Sequence, residues 1–213
     1  MRVLVTGADG FVGRHVVRVL QQAGDTVAAG CRPGGPAVDW TSARPGAAPP
    51  LAVPFEVTDD ASVTGALEWA PDAIVHLAAV ASVRQGRERP GATWEINAAG
   101  TARLTAAAGQ LREAGRLDPV VLVVSSGEVY GPGRDVPRQE ADPTAPVSAY
   151  AASKLGAEVA ALEVWRRTGL RVIIARPFAH TGPGQTSDYV VPAFASRLRE
   201  ARARGARTAC VPE

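Results

Sequence analysis

Short runs of β-branched and apolar residues alternate along the chain with longer segments whose apolar positions recur at helical spacing. The runs predict six strands, which are Arg2–Thr6, Thr26–Ala29, Leu51–Phe55, Ala73–His76, Val120–Ser125 and Arg171–Ala175. The longer segments predict five helices, near Gly10–Ala23, Asp60–Trp69, Ala92–Ala114, Ala149–Thr168 and Val191–Arg204. Such alternation is typical of right-handed crossover units. We therefore predict an α/β fold, a Rossmann-like doubly wound parallel sheet in the order 3-2-1-4-5-6, with helices on both faces.

Two stretches interrupt this alternation. Arg32–Pro50 is too rich in Pro and Gly for a helix and is typical of a long surface loop after the second strand. Tyr130–Ser148 is similarly irregular and leads into the fourth predicted helix. Because long loops in compact domains are often functional, we expect the second stretch to lie beside a site.

Composition narrows the functional classes. The chain has 213 residues, 46% of them hydrophobic and 21% charged, which fits one globular domain with a sizeable core. The net charge of +2 is spread over scattered arginines, so we expect neither a nucleic-acid partner nor a membrane partner. Cys31 and Cys210 are too few for a disulfide framework, and the first residues already form a strand pattern rather than a leader. We expect a cytoplasmic protein that acts on small molecules and holds no metal.

Three glycines lie between the first strand and the first helix, in TGADGFVG. Gly7 permits the turn, Gly10 lets a phosphate approach the backbone, and Gly13 lets the helix pack on the strand. The positive end of the helix and its free N–H groups favour an anion there. The loop predicts a site for the pyrophosphate of a dinucleotide, and the alternative is an ordinary strand-to-helix turn.

The end of the second strand decides which dinucleotide is preferred, because it lies beside the adenosine ribose. The segment reads AAGCRPGG and has no carboxylate for a 2′-hydroxyl. Arg32 could instead donate to a 2′-phosphate, which favours NADP(H), with NAD(H) as the alternative. The other interpretation of Arg32 is a solvated loop arginine. Glu56, at the end of the third strand, is interpreted either as an acceptor for the adenine amino group or as an exposed carboxylate.

Lys154 is the only lysine in the chain, and it follows Tyr150 by four residues. Residues i and i+4 share one face of a helix, so both side chains can point to the carboxyl edge of the sheet. A tyrosine hydroxyl titrates near pH about 10, and a neighbouring ammonium stabilises the phenolate. Lowering that pKa by about 3 units corresponds to roughly 4 kcal/mol and would make Tyr150 a proton carrier at neutral pH. The alternative is an accidental pair on a solvated helix face.

Hydroxyl and carboxyl side chains follow the fifth strand in VLVVSSGEVYG. They emerge at the carboxyl edge of the sheet, where open α/β folds bind their substrates. Ser126 could hydrogen-bond a reacting oxygen beside Tyr150 and orient it. Glu128 is a candidate base, or equally a carboxylate that bonds to local backbone.

Five segments in fixed order resemble a known family: TGADGFVG, HLAAVASV (His76–Val83), INAAGT (Ile96–Thr101), SSGEVYG (Ser125–Gly131) and YAASK (Tyr150–Lys154). They are similar to the extended short-chain dehydrogenases/reductases that act on nucleotide sugars. The resemblance implies Ser126, Tyr150 and Lys154 as the catalytic trio. It also implies that Asn97 organises the backbone and that His76 is structural. The cofactor-binding residues that it implies are Gly7, Gly10, Phe11, Val12, Gly13, Arg32, Glu56, Val57, Leu77, Ala78, Ala79, Tyr150, Lys154 and Pro177.

Within this family, Ala175–Leu198 is similar to the segment that GDP-4-keto-6-deoxymannose reductases and GDP-mannose 4,6-dehydratases use beside the sugar nucleotide. Gly182–Gln185 would form the substrate-side loop. Gly127 departs from the dTDP-glucose dehydratases, which carry Asp there, and Cys31 departs from the UDP-galactose 4-epimerases, which carry an acidic residue at or beside it. The substrate-binding residues implied are Ser126, Gly127, His180 and Gln185.

The implied activity is NADP(H)-dependent oxidoreduction at C4 of a nucleotide-diphosphate sugar, with GDP-4-keto-6-deoxymannose reduction as the first hypothesis. In a reductase, Tyr150 protonates the new alkoxide while Ser126 holds the oxygen. In the alternative, a GDP-mannose 4,6-dehydratase, Glu128 removes the C5 proton. Another nucleotide-sugar epimerase or dehydratase is a further alternative, and a non-catalytic dinucleotide-binding module is the alternative of another class.

Family members continue beyond the length of this chain. The resemblance therefore divides it into a dinucleotide-binding domain, residues 1–178, and the start of a substrate-binding lobe, residues 179–213, with the C-terminal sugar-nucleotide lobe largely absent. The alanine-rich helices Ala92–Ala114 and Ala149–Thr168 could pack against a second copy in a homodimer, or against their own sheet.

Overall fold

Six parallel strands form the central sheet of the computed structural model, which describes residues 1–35, 37–40, 48–133 and 136–205. The strands are β1 (Arg2–Thr6), β2 (Thr26–Cys31), β3 (Leu51–Pro54), β4 (Ala73–His76), β5 (Val120–Val124) and β6 (Arg171–Ala175). Their order is β3-β2-β1-β4-β5-β6, and all neighbouring pairs are parallel. The predicted fold class and strand order are confirmed.

Both faces of the sheet are buried, as the side chains of β1 show. Leu4 belongs to the core cluster on one side, together with Phe55 and Ile74. Val3 and Val5 belong to the cluster on the other side. Strands covered by helices on both faces are expected to be apolar at every position, which explains the unbroken apolar runs in the sequence.

Seven α-helices in the described ranges surround the sheet or follow it: α1 (Phe11–Gln22), α2 (Asp60–Leu67), α3 (Val83–Glu88), α4 (Pro90–Trp94), α5 (Gly100–Glu113), α6 (Ala149–Thr168) and α7 (Val190–Ala203). The start of α6 is fixed by Ser148, whose side-chain oxygen accepts from the backbone N–H of Ala151 at 3.1 Å. Its end is Gly169, which has a φ of 72° in the left-handed region. Tyr150 and Lys154 therefore lie in the first two turns of a long, capped helix.

The segment predicted as one helix over Ala92–Ala114 is helical from Pro90 to Glu113, but it is not a regular α-helix. α4 ends at Trp94, a π-helical turn spans Glu95–Ala99, and α5 begins at Gly100. Such a turn inserts one residue into a helix and is found mostly at functional sites. The π turn changes the spacing of apolar residues by one position, which is too little to be recognised in a single sequence. The short helix α3 and a 3₁₀ turn over Gly127–Tyr130 were not predicted either.

The two predicted loops contain no α-helix or strand in their described residues. Residues 36 and 41–47 of Arg32–Pro50, and residues 134–135 of Tyr130–Ser148, lie outside the described part of the chain. Cys210 lies outside it too. The ends of the other predicted elements differ by at most two residues from those observed.

The chain divides into two compact units, Met1–Phe178 and Ala179–Glu213. The first unit contains the whole sheet and helices α1 to α6, and the second contains α7. Among the described helices, none combines the length and the apolar character that crossing a membrane requires.

Candidate active site

Where β1 joins α1, three glycines lie close to neighbouring backbone atoms. Gly7 has a φ of 65°, and a Cβ added to it would lie 2.8 Å from the backbone nitrogen of Ala78. A Cβ on Gly13 would lie 2.2 Å from the carbonyl oxygen of Gly7, so α1 packs directly on the loop. Gly10 precedes the helix without a side-chain cap, which leaves the first N–H groups of α1 to bind an anion. A backbone cradle of this kind fits a pyrophosphate.

The ends of β1 and β4 are tied together beside this cradle. The backbone N–H groups of Leu77 and Ala78 donate to the side-chain oxygen of Thr6 at 3.2 and 3.1 Å. Ala79 follows and is half-buried, as are Phe11 and Val12 in the first turn of α1. The structure therefore brings these predicted cofactor residues to one edge of the sheet.

The turn after β2 contains the predicted Arg32 and also lies close to Asp9 of the glycine loop, which was not predicted to matter. Arg32 is exposed there, as both interpretations of it require. A Cβ on Gly35 would lie 3.3 Å from a carboxylate oxygen of Asp9, so Asp9 of the glycine loop reaches this turn. Arg14 Nε donates to the carbonyl oxygen of Asp9 at 2.8 Å. Burial, together with the charge of Asp9, raises the pKa of the Cys31 thiol. The position of Asp9 inside the glycine motif was the available signal.

Glu56 was interpreted either as an acceptor for the adenine amino group or as an exposed carboxylate, and its observed environment lies between the two. It is half-buried, and its Oε1 accepts from the N–H and the hydroxyl of Thr58 at 3.1 and 2.9 Å. It also borders an open cavity lined by Pro33, Ser62 and Ala66. One carboxylate oxygen thus caps a local turn. The neighbouring Val57 is buried in the core, so that only its backbone could contact a ligand.

Lys154 is buried, with 7% of its surface exposed, and its Nζ donates to the carbonyl oxygen of Val124 at 2.9 Å. The interpretation as a pair on a solvated helix face is therefore wrong for the lysine. Burial lowers the pKa of Lys154 from 10.5 to about 8. Tyr150 lies one turn earlier in α6 and is half-buried. Gly86 of α3 packs closely on it, because a Cβ there would lie 3.1 Å from the Tyr150 Cβ.

Ser126 lies directly beyond the end of β5 and is buried, whereas Glu128 is exposed. The Ser126 Oγ accepts from the backbone N–H of Glu128 at 3.2 Å and so caps the 3₁₀ turn. A hydroxyl that accepts a hydrogen bond can still donate its own proton. Ser126 is therefore suited to hold an oxygen atom of a ligand.

His76 is buried between two threonines, and their hydrogen bonds fix its tautomer. The Thr101 hydroxyl donates to the carbonyl oxygen of Asn97 at 2.6 Å, so its oxygen accepts from His76 Nε2 at 3.1 Å. The Thr6 oxygen already accepts from two backbone N–H groups, so its proton goes to His76 Nδ1 at 2.8 Å. Burial, and to a smaller extent the charge of Lys154, lowers the pKa of His76 to about 3. The histidine is a neutral structural bridge.

Asn97, in the π turn, connects the chain after β4 to the start of α6. Its amide accepts from Val80 N at 2.8 Å, donates to Val80 O at 3.1 Å, and donates to the Ser153 hydroxyl at 3.0 Å. Ser153 in turn donates to the carbonyl oxygen of Tyr150 at 2.8 Å. The side chain thus organises two backbone segments around the tyrosine.

This arrangement agrees with the comparisons to known proteins. The sequence profile of the NAD dependent epimerase/dehydratase family matches residues 3–210. The chain belongs to this family. It is 32% identical, over 199 residues, to the GDP-6-deoxy-D-mannose reductase of Pseudomonas aeruginosa, a match covering 92% of this chain and 58% of the reductase. It is 39% identical to the UDP-glucose 4-epimerase of Mycolicibacterium smegmatis, with 75% of this chain and 50% of the epimerase covered.

Solved structures of family members have the same fold. The Pseudomonas aeruginosa protein RMD, complexed with NADPH, superposes with a TM-score of 0.75 at 31% identity and covers 98% of this chain. The dTDP-glucose 4,6-dehydratase DesIV of Streptomyces venezuelae, with NAD and TYD bound, gives a TM-score of 0.80 at 31% identity and covers 94% of this chain. The chain covers 64% and 63% of those two structures, and it spans about half to three fifths of the length of the two curated relatives named above.

The predicted substrate residues of this family member lie in both units. In the first, Gly127 N donates to Pro177 O at 2.8 Å, and a Cβ on Gly127 would lie 2.8 Å from the ring of Phe178. In the second, His180 is exposed and Gln185 is half-buried. Gln185 Nε2 donates to His180 O at 3.4 Å, which places the two residues in one loop before α7.

A buried ion pair between α6 and the residue after β6 was not predicted from the sequence. Arg176 forms a salt bridge with Glu158. The Ser125 hydroxyl donates to Glu158, and Arg176 donates to the Tyr130 hydroxyl. Glu158 follows Lys154 by four residues and so shares its helix face, which was the available signal. Among the described residues, no group of three His, Cys, Asp or Glu side chains is arranged to hold a metal ion.

Proposed function

We propose that this chain is the dinucleotide-binding and catalytic part of an NADP(H)-dependent reductase that acts at C4 of a nucleotide-diphosphate sugar. The observation that carries the proposal is the burial of Lys154 at the end of β5, one helical turn from Tyr150. A buried ammonium is unfavourable for folding, and its retention as the only lysine of the chain points to a chemical role.

The cofactor proposal rests on the cradle of Gly7, Gly10 and Gly13, which would hold the pyrophosphate against the start of α1. Arg32 would bind the 2′-phosphate of NADP(H), and the NADPH-bound relative supports this preference. Asp9, close to the same turn, favours the alternative NAD(H), because a carboxylate accepts from a ribose 2′-hydroxyl and repels a phosphate.

The chemistry follows from the charges around Tyr150. Lys154 stays largely protonated at neutral pH, because its pKa is about 8. Its positive charge stabilises the phenolate form of Tyr150 and so makes the phenol a proton donor of suitable strength. Ser126 donates a hydrogen bond to the sugar oxygen, and Tyr150 delivers a proton to that oxygen as it becomes an alkoxide. NADPH, when bound, supplies the hydride for C4.

Lys154 can bind the cofactor as well as activate the tyrosine. An ammonium has three protons, and the Val124 carbonyl takes one of them. The other two can be donated to the hydroxyls of the nicotinamide ribose, which orients that ring beside Tyr150.

A 4,6-dehydratase that needs an acid just before Glu128 is disfavoured by the contact between Gly127 and Phe178. The ring occupies the space that a side chain at position 127 would need, so an acid cannot be placed between Ser126 and Glu128 without moving Phe178. The alternative is a GDP-mannose 4,6-dehydratase in which the exposed Glu128 is the base. The relative described as a GDP-6-deoxy-D-mannose reductase supports a GDP-sugar. We therefore propose GDP-4-keto-6-deoxymannose as the substrate, with His180 and Gln185 as contacts for it.

The test is NADPH consumption with GDP-4-keto-6-deoxymannose, in this chain and in the protein as it occurs naturally. Tyr150→Phe should reduce turnover at least about a thousandfold and leave NADPH affinity within about threefold, because only the phenolic hydroxyl that carries the proton is removed. Formation of a keto-sugar from GDP-mannose and NADP⁺ would identify the dehydratase instead. Cofactor binding without turnover of any nucleotide sugar would favour the non-catalytic module.

We also propose that the protein is a cytoplasmic homodimer that associates through the face of α6 near Val159. Val159 is 61% exposed, and Trp94, which packs on Gly156 of the same helix, is 44% exposed. Apolar side chains grouped on one helix face are typical of helix-mediated interfaces.

A further inference from the structure

Glu158 is a carboxylate in the interior of the first unit, with 3% of its side chain exposed. It lies one turn after Lys154 on the same face of α6. An ionised carboxylate is strongly unfavourable in such a place unless a cation and hydrogen bonds compensate it. The residues that bond to the Glu158 carboxylate therefore indicate the role of this buried charge.

Arg176, just after β6, supplies the cation. Its Nε donates to Glu158 Oε1 at 2.9 Å and its NH2 donates to Oε2 at 2.6 Å, which is the two-pronged geometry of a strong pair. Its NH1 donates to the Tyr130 hydroxyl at 2.9 Å and to the Glu140 carbonyl oxygen at 3.1 Å. One arginine thus connects α6, the end of β6 and the loop that leads into α6.

The same carboxylate also holds the segment that contains Ser126. The Ser125 hydroxyl donates to Glu158 Oε1. The backbone N–H of Ser125 donates to Ala175 O at 2.7 Å, and that of Gly127 donates to Pro177 O at 2.8 Å. Ser126 therefore lies between two residues that are fixed on both sides.

We propose that Glu158 and Arg176 are a positioning pair that fixes the distance between Ser126 on one side and Tyr150 and Lys154 on the other, without touching substrate or cofactor. This inference rests on the proposed function of those three residues. Through Ser125 and Arg176, the Glu158 carboxylate ties the segments after β5 and β6 to α6, one helical turn after Lys154.

A pair that merely stabilised the fold would behave differently, and Arg112 provides the matched control. Arg112 donates to Thr168 O at 2.6 Å and to Asp118 at 2.8 Å, so it also joins α6 to its surroundings through several hydrogen bonds. It does so at the last turn of α6. Thr168 follows Lys154 by fourteen residues, about 21 Å along a helix, so Arg112 does not act on the trio.

The kinetic test compares Glu158→Gln, which keeps the shape, and Arg176→Lys, which keeps the charge, with Arg112→Met. We expect kcat to fall roughly tenfold to a hundredfold in the first two, with KM within about threefold, because misplacement by a fraction of an ångström slows the reaction. Arg112→Met removes hydrogen bonds at the far end of α6 and should keep its kcat. Native kcat in folded Glu158→Gln and Arg176→Lys would overturn the proposal.

A second measurement is independent of turnover. Because Lys154 is the only lysine, ¹⁵N-lysine labelling gives one side-chain signal, whose hydrogen exchange reports on the bond to Val124. We expect exchange at least about tenfold faster in Glu158→Gln and unchanged in Arg112→Met.

The two proposals can fail separately. If the natural protein turns over no nucleotide sugar, the proposed function fails, and the lysine signal still decides the positioning role. An unchanged signal in folded Glu158→Gln contradicts the pair. If Glu158→Gln does not fold, Ser125→Ala removes only one hydroxyl and one hydrogen bond to Glu158, and the same criteria apply to it.

Discussion

At the scale of single residues, the site contains two bases that burial holds away from their ordinary titration. Lys154 has a pKa of about 8, against 10.5 for an exposed lysine, and His76 has a pKa of about 3, against 6.5. In both cases the folded protein binds a proton less readily than the unfolded chain does. Stability must therefore rise with pH between the two pKa values of each residue.

Lys154→Met should make the protein more stable and inactive. A lowering of the pKa from 10.5 to about 8 corresponds to about 3 kcal/mol of folding free energy lost below pH 8. The lost hydrogen bond to Val124 offsets about 1 kcal/mol of the gain. We expect an increase of about 1–2 kcal/mol in the free energy of unfolding at about pH 7, measured by urea denaturation. The increase should shrink as pH rises towards 10.5, and a gain that is independent of pH would contradict the burial argument.

His76→Gln should weaken the dependence of stability on acid. As pH falls from 6.5 towards 3, the unfolded chain gains a proton on His76 that the folded protein does not accept. Each pH unit in that window costs about 1.4 kcal/mol. Between about pH 6.5 and pH 5 the native protein should lose about 2 kcal/mol more than the variant. Parallel denaturation series would show this, and identical slopes would mean that His76 is protonated in the folded state.

At the scale of elements, the junction of β1 with α1 is the tightest contact of the candidate cofactor site. The Gly13 position faces the carbonyl oxygen of Gly7, and the Gly7 position faces the chain after β4. Gly7 also needs its positive φ. The glycine loop, the start of α1 and the chain after β4 therefore pack so closely that Gly7 and Gly13 have no room for a side chain.

Gly13→Ala should disrupt this junction. Its Cβ would lie 2.2 Å from Gly7 O, so the loop must move, at an expected cost of about 1–3 kcal/mol and roughly a tenfold loss in NADPH affinity. Gly91→Ala in α4 is the matched control, because nothing lies within 4 Å of the added carbon. The control should bind NADPH normally in a fluorescence titration. Equal affinity of the two variants would show that the loop does not contact the cofactor.

At the scale of the whole molecule, the architecture was predictable and the connections across it were not. The six strands were visible because each contains at least three consecutive apolar residues, and Lys154 was visible because it is unique in the sequence. The ion pair of Glu158 and Arg176 was not, because it joins residues 18 positions apart whose meeting depends on the packing of α6 against the end of β6. The π turn could not be predicted either, because Asn97 within it bonds to the backbone of Val80, which lies outside its own helix.

The association of two copies is a prediction at the same scale. Val159→Arg introduces a charge on the exposed face of α6, and burying it in a dimer would be strongly unfavourable. We expect sedimentation velocity to change from dimer to monomer, with cofactor binding retained. Val159→Ala should remain a dimer and serves as the control. A monomeric native chain would remove the basis for this interface.

The burial of the one lysine also has a practical consequence. Biotinylation reagents, formaldehyde and many crosslinkers modify proteins at accessible lysine amines, and this chain offers none on its described surface. Apart from the exposed amine of Met1, such treatments should modify no amine of the described surface until the first unit opens. The rate of lysine modification would then measure how often the interior beside β5 becomes accessible to reagents.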